Sequence, residues 1–212
     1  MKQHIILYDK NLSLCGDNPD GNSTKHATDK SLFIDTYKWV ENTYQPKVEV
    51  YLCHNNTLLA IKFVVHECDI RTVEKEDGGK IWCDSCVEFF FRPYSDDSRY
   101  LNFEINSLGA TIMSLGKDRY NRTELITKFK QKLNIITNIE HYFWSVRLEI
   151  PFSIICEVFD NKHLLKSGDT TFGNFYKCGD ETAFPHFGMW NEVAQDAPDF
   201  HLSDFFGLLI LG

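Results

Sequence analysis

The sequence predicts an all-β protein, an antiparallel two-sheet β-sandwich of jelly-roll or immunoglobulin-like type with short helical turns in its loops. Three observations carry this. Apolar and polar residues alternate with period two over 47–65, 86–106, 142–150 and 206–211, the spacing a pleated strand imposes. Clusters of Gly, Pro, Asn, Asp and Ser separate these runs at short intervals, as turns in a sandwich require. Aromatic residues reach 14%, with 17 Phe and 9 Tyr, types that favour strands.

Taken in order, His4–Tyr8 reads as a short strand, and the polar tract from Gly16 to Thr24 reads as a loop. Residues 1–30 are therefore expected to form a loose N-terminal extension of one domain spanning 1–212. Residues 33–40 read as a helical turn or loop seating Trp39, whose apolar neighbours favour a core position. Lys47–His54 and Leu58–Val65, joined at Asn55-Asn56, form a hairpin. The charged stretch before Trp82 reads as an exposed loop, placing Trp82 at a loop–strand junction near the surface.

The central hairpin is 82–109, WCDSCVEFFFRPYSDDSRYLNFEINSLG. Val87, Phe89 and Phe91 point one way, and Cys86, Glu88, Phe90 and Arg92 the other. Leu101, Phe103 and Ile105 oppose Tyr100, Asn102, Glu104 and Asn106 in the same manner. Gly109–Gly116 follows as a strand. The basic stretch 117–132 reads as a solvated face with a brief helix or long loop. Trp144, Val146, Leu148 and Ile150 define a strand ending at Pro151, which opens a helical turn. Thr170–Lys177 and Phe206–Leu211 are the closing strands.

Charge and composition bound the function classes. The net charge of −8 over 212 residues disfavours tracking of a phosphate backbone, so no nucleic-acid partner is expected. No apolar run has the length of a membrane span, and the apolar patch near the N-terminus is short for a signal peptide. The localisation that follows is cytoplasmic, or export with a leader removed. Seven cysteines cannot all pair with one another, and free, buried, metal-free thiols are expected.

The blocks W-x-D-S-C-V-E-F-F from Trp82 and Y-x-N-F-E-I-N-x-L-G from Tyr100 resemble the core signature of carbohydrate-binding module family 9. Asn174–Asp180 and Pro198–Gly207 continue the resemblance in the family's order, which extends from about Trp39 to the C-terminus. The resemblance implies non-catalytic binding of a terminal sugar in support of polysaccharide catabolism. The implied partners are oligo- or polysaccharides and glycoside hydrolases acting on the same substrate. It further implies two aromatic residues sandwiching the sugar, with Trp82 at the first position. Phe200 stands at the second, where the better-known xylanase-attached modules carry Trp, which weakens stacking and leaves the sugar preference open. Glu88 matches a sugar-bonding acid, Asn106 and Tyr176 or Lys177 are further matches, and His186 and Trp190 are expected to line the same end.

Other chemistries compete with binding. Glu88 and Glu104 invite a glycoside hydrolase reading, since two carboxyl groups can serve as acid and nucleophile or base. A related sandwich holding a non-sugar ligand such as haem is a further alternative. Cys83 and Cys86 form a C-x-x-C without the second pair that a structural zinc site needs. The histidines lack transition-metal spacing, so no cofactor is expected. Structural calcium, which the resemblance admits, has only Asp96-Asp97 and Asp196…Asp199 as oxygen clusters.

Overall fold

The computed structural model describes residues 1–14, 31–67 and 69–212. The polar tract from Gly16 to Thr24, Cys15 and Cys68 lie outside the described residues. Two sheets face each other across an apolar core. The first is ordered β10 (Asn134–Ile139), β11 (Trp144–Pro151), β5 (Leu58–His66), β4 (Lys47–His54). The second runs β14 (Gly207–Leu211), β12 (Thr170–Cys178), β6 (Cys86–Arg92), β7 (Tyr100–Asn106), β8 (Thr111–Gly116), β9 (Arg122–Glu124).

The N-terminal strand β1 (Gln3–Tyr8) joins the two. Gln3–Ile6 pairs parallel with β14, and Leu7 and Tyr8 pair parallel with β4. The sandwich is thus mixed, where the sequence suggested wholly antiparallel sheets. Alternation reveals a strand but not the direction of its neighbour. Residues 3–8 also belong to the sandwich instead of extending loosely from it.

The other free edge of β4 is shared between β1 and the short β2 (Leu32–Ile34). The corresponding edge of β12 is shared between β14 and β13 (Phe187–Met189), which pairs in turn with β3 (Thr36–Tyr37). Residues 33–40 are therefore strand pieces followed by a bend, not a helical turn.

The core follows the predicted alternation. Val48, Val50, Leu59, Ile61, Phe63, Trp144, Val146 and Leu148 meet Val87, Phe89, Phe91, Leu101, Phe103, Ile105 and Phe175. Phe89 stacks on Phe175 with centroids 4.9 Å apart. Helix α1 (Ile126–Phe129) buries Ile126 and Phe129 against this core. Helix α2 (Phe152–Phe159) buries Phe152, Ile154, Ile155 and Phe159, and ends at Asp160 in the left-handed conformation, φ 51°. Gly207 is required where it stands, since a Cβ there would lie 2.2 Å from the buried Trp190 ring. No helix among the described residues is long and apolar enough to cross a membrane.

A second apolar layer covers the outer face of the second sheet. The chain between β13 and β14 crosses that face, bringing Val193, Phe200 and Phe206 onto Phe90, Tyr100 and Tyr176. All of β7 is consequently buried on both sides, as happens to strands covered on both faces.

Candidate functional site

The covering segment does not close completely over the sheet, and it leaves a cavity of about 440 Å³, within the usual range for ligand sites. Its floor is the outward face of β6 and β7, which presents Glu88 and Glu104, and its walls carry Trp39, Trp82, Phe187 and Phe200. Arg119, Arg122, Cys178, Asp180, Asp199 and His201 complete the lining.

Trp82 lies in a 3₁₀ turn over Ile81–Cys83, just before β6. Its carbonyl accepts from the Asp180 amide at 3.1 Å, tying the turn to the end of β12. The preceding loop is pinned by buried Asp84, whose Oδ2 accepts from the amides of Val73 at 2.9 Å and Glu74 at 2.8 Å, while Arg71 holds Oδ1. A rigid loop thus presents a ring that stays 37% exposed.

Phe200 is 8% exposed and stacks on Tyr176, with centroids 4.1 Å apart. The Tyr176 hydroxyl donates to the Phe200 carbonyl at 3.1 Å, which locks the stack from below. Trp39 packs against Phe200 at 5.5 Å and Phe187 at 6.1 Å, and its indole N–H donates to the Gln195 carbonyl at 2.8 Å. Its φ of 70° is a left-handed conformation rare for a bulky residue, of the kind that concentrates at functional sites. The sequence placed Trp39 in the core; it is half-buried on the cavity wall.

Glu88 and Glu104 are direct cross-strand partners. Glu88 accepts from the Cys178 thiol at 2.9 Å. Burial, then the Glu104 charge, pushes its carboxyl well above the usual range. Glu104 accepts from Asn102 at 2.9 Å and lies 3.6 Å from Arg122. Burial raises its pKa to about 7, with Arg122 opposing the rise. Asp180 rises to about 6, mainly by burial. Arg119 and Arg122, read from sequence as part of a solvated face, both reach the cavity: Arg122 is half-buried, while Arg119 stays exposed at its rim. His201 contacts the Tyr100 hydroxyl at 2.9 Å, and burial and the two arginines hold its pKa down to about 3. The cavity therefore combines aromatic faces, buried hydrogen-bonding carboxyl groups and guanidinium donors.

Of the residues named from sequence, Trp82, Glu88 and Phe200 line the cavity. The other five do not. Tyr176 lies beneath Phe200. Asn106 donates to the Glu74 carbonyl and Asp84 and accepts from the amides of Leu108 and Ala110, so it braces the Trp82 loop. Lys177 is registered with Val87 and points into the sandwich, 2.7 Å from His186 Nε2 and 3.4 Å from Glu67. His186 belongs to that internal cluster. Trp190 is in the main core against Phe175.

Sequence reasoning did not place Trp39, Arg119, Arg122, Asp180, Phe187, Asp199 or His201 at the sugar site. Their common signal, proximity to Glu88, exists only after β12 and the covering segment are placed. Glu104 and Cys178 were visible as residue types, the first as half of a catalytic pair. Asp97 is spent on Arg99, with contacts from 2.6 Å, and Asp199 caps the His201 amide at 2.9 Å.

Comparisons with known proteins agree with this fold. Among curated proteins no sequence match was found. A candidate carbohydrate-binding protein from Bacteroides uniformis superposes with a TM-score of 0.82 at 27% identity, covering 100% of this chain and 99% of that one. A family 9 carbohydrate-binding module from Caldicellulosiruptor kristjanssonii, solved with glucose, gives a TM-score of 0.67 at 12% identity, covering 100% and 96%. The same organism's module solved with cellotriose gives 0.65 at 12% identity, covering 99% and 93%. At that identity these two establish the fold alone. The sequence model for carbohydrate-binding family 9 matches residues 23–211, nearly the whole chain. The chain belongs to carbohydrate-binding family 9.

Proposed function

We propose that this protein binds a terminal sugar of an oligo- or polysaccharide in the cavity over β6 and β7, without chemistry of its own. The observation that carries the reading is the half-open cavity joining the exposed Trp82 ring to Glu88, Glu104 and Arg122. Sugar rings offer apolar C–H faces to an indole, while their hydroxyl groups need both acceptors and donors. Carboxyl groups kept partly neutral supply either. One stacked ring with two or three net hydrogen bonds of about 0.5–1.5 kcal/mol each supports micromolar to millimolar affinity. The neighbours solved with glucose and cellotriose make gluco-oligosaccharides the first probes. A role beside glycoside hydrolases acting on the same polysaccharide follows from this reading.

Glu88 and Glu104 rise from one face of one sheet, with Cβ atoms about 5 Å apart for such a pair. A separation of about 5–5.5 Å between carboxyl groups would suit a retaining glycosidase, so turnover is measured beside binding. Calorimetry of the wild-type chain with glucose and cellotriose, followed by a glycan array, tests the proposal. Saturable binding without turnover after overnight incubation is expected. Failure to bind any glycan, or turnover that disappears in Glu88→Gln, would overturn it.

A further inference from the structure

The C-x-x-C at Cys83 and Cys86 does not act as a pair. The partner of Cys86 is Cys178, 92 positions further along by their residue numbers, which the antiparallel register of β6 and β12 sets directly opposite it. Glu88 follows two residues along β6 on the same face. The two sulfurs and a Glu88 oxygen all lie within 4.8 Å of one another, and all three residues are buried.

We propose that Cys86, Cys178 and Glu88 form a binding site for a zinc-like, thiophilic divalent cation at the floor of the cavity. Three features carry this. First, the spacing is nearly that of a tetrahedral site, where metal–sulfur bonds of about 2.3 Å put donor atoms about 3.8 Å apart. Second, the position calls for positive charge. Glu88 faces Glu104, Arg122 approaches Glu104 at 3.6 Å and bears on Glu88 through its charge alone, and among the described residues no lysine or arginine forms an ion pair with Glu88. Buried carboxylates are ordinarily paired or metal-bound.

Third, the site has an entrance. Cys178 and Glu88 reach the cavity wall while Cys86 stands behind them, so an ion enters from the cavity and meets two ligands before the third. Three protein ligands leave one coordination position, which opens to the cavity for water or a ligand oxygen, as in open zinc sites. The exchange balances without electron transfer. The cation forms two metal–sulfur bonds and one metal–oxygen bond, and both thiol protons, together with the proton of the Glu88 carboxyl group where it is protonated, pass to solvent. The proton now shared between Cys178 and Glu88 is one of those displaced.

The test uses the full chain, reduced and freed of metal with a chelator, titrated with cobalt as a spectroscopic stand-in for zinc. One equivalent should produce thiolate-to-cobalt charge-transfer absorption and the visible bands of tetrahedral cobalt, and zinc should bleach both. Cys86→Ser and Cys178→Ser should each lose the charge-transfer band, while Cys83→Ser should keep it unchanged. Absence of absorption in the folded wild-type chain would overturn the site. So would bands that persist in either serine variant, or that vanish in Cys83→Ser. Should a serine variant fail to fold, cadmium NMR of the wild-type chain decides. One resonance between the all-oxygen and four-thiolate positions supports the site; a resonance at either limit, or none, defeats it.

Discussion

The outer faces of the two sheets begin from the same sequence pattern and end differently. On the first sheet the outward residues Asn134, Arg147 and Glu149 form a network at the surface, with Arg147 2.7 Å and Asn134 3.0 Å from Glu149. On the second the outward residues Glu88, Asn102, Glu104 and Asn106 are all buried. The difference is the covering segment of residues 190–206, laid over the second sheet, whereas among the described residues the first sheet's outer face is covered only locally, where Leu14 packs with Tyr51, Cys53 and Ala60. Polar groups left on a covered face must find partners inside the protein. Where the cover is incomplete they become the floor of a cavity. A sandwich of this kind gains a site by adding a partial third layer to one sheet.

The comparison can be broken most severely in the layers themselves. Phe103→Ala in the main core and Phe90→Ala under the covering segment should each cost about 3–5 kcal/mol in chemical denaturation. Asn134→Ala, on the uncovered face, should cost no more than about 0.5 kcal/mol. If Phe90→Ala proved as mild as Asn134→Ala, the covering layer would not be a packed core.

The buried cluster within the sandwich offers a pH test of comparable size. His186 donates from Nδ1 to the Phe184 carbonyl at 2.7 Å and accepts from Lys177 at Nε2, so it is neutral. Burial and the Lys177 charge lower its pKa to about 4, whereas an unfolded histidine titrates near 6.5. Between those values the unfolded chain holds more protons, so stability contributed by the neutral ring falls as pH drops from 6.5 toward 4. The loss should approach about 3 kcal/mol. Denaturation of wild type and His186→Gln across this window should show the variant lacking that component. Parallel curves would contradict the assignment.

Smaller effects are expected at the site. Glu88→Gln keeps the shape but replaces one carboxyl oxygen by an NH2 donor, and should weaken sugar binding by about 1–3 kcal/mol, roughly 5- to 100-fold by calorimetry. Salt should matter least. A neutral sugar offers no charge to screen, so affinity should change less than about twofold between low and high ionic strength. A strong salt response would point to an anionic ligand meeting Arg119 and Arg122.

Most of the strand order was legible because β4 to β8, β11, β12 and β14 alternate plainly. The edge strand β10 was not, since Ile135, Ile136 and Ile139 sit in a largely exposed run without a clean apolar face. The site was legible only where strand and motif coincided, at Trp82 and Glu88, and at Phe200 through the family pattern. Tyr176 and Lys177 are neighbours on one strand and cannot share a face, so pleat geometry alone separates them. Trp39 and Arg122 were misread for one reason: alternation and local charge do not reveal which face a later segment will cover. The Cys86–Cys178 pair was hidden in the same way, behind a register between distant strands.

The central claim is tested most directly by titrating Trp82→Ala with cellotriose in a calorimeter while recording its thermal midpoint. With its ring 37% exposed on a turn fixed by Asp84 and Asp180, Trp82 acts on ligand more than on the core. Wild type should bind, and the variant should show no detectable heat with a midpoint within about 2 °C of wild type. Undiminished binding by the variant, or a loss of binding accompanied by a large fall in midpoint, would contradict the account.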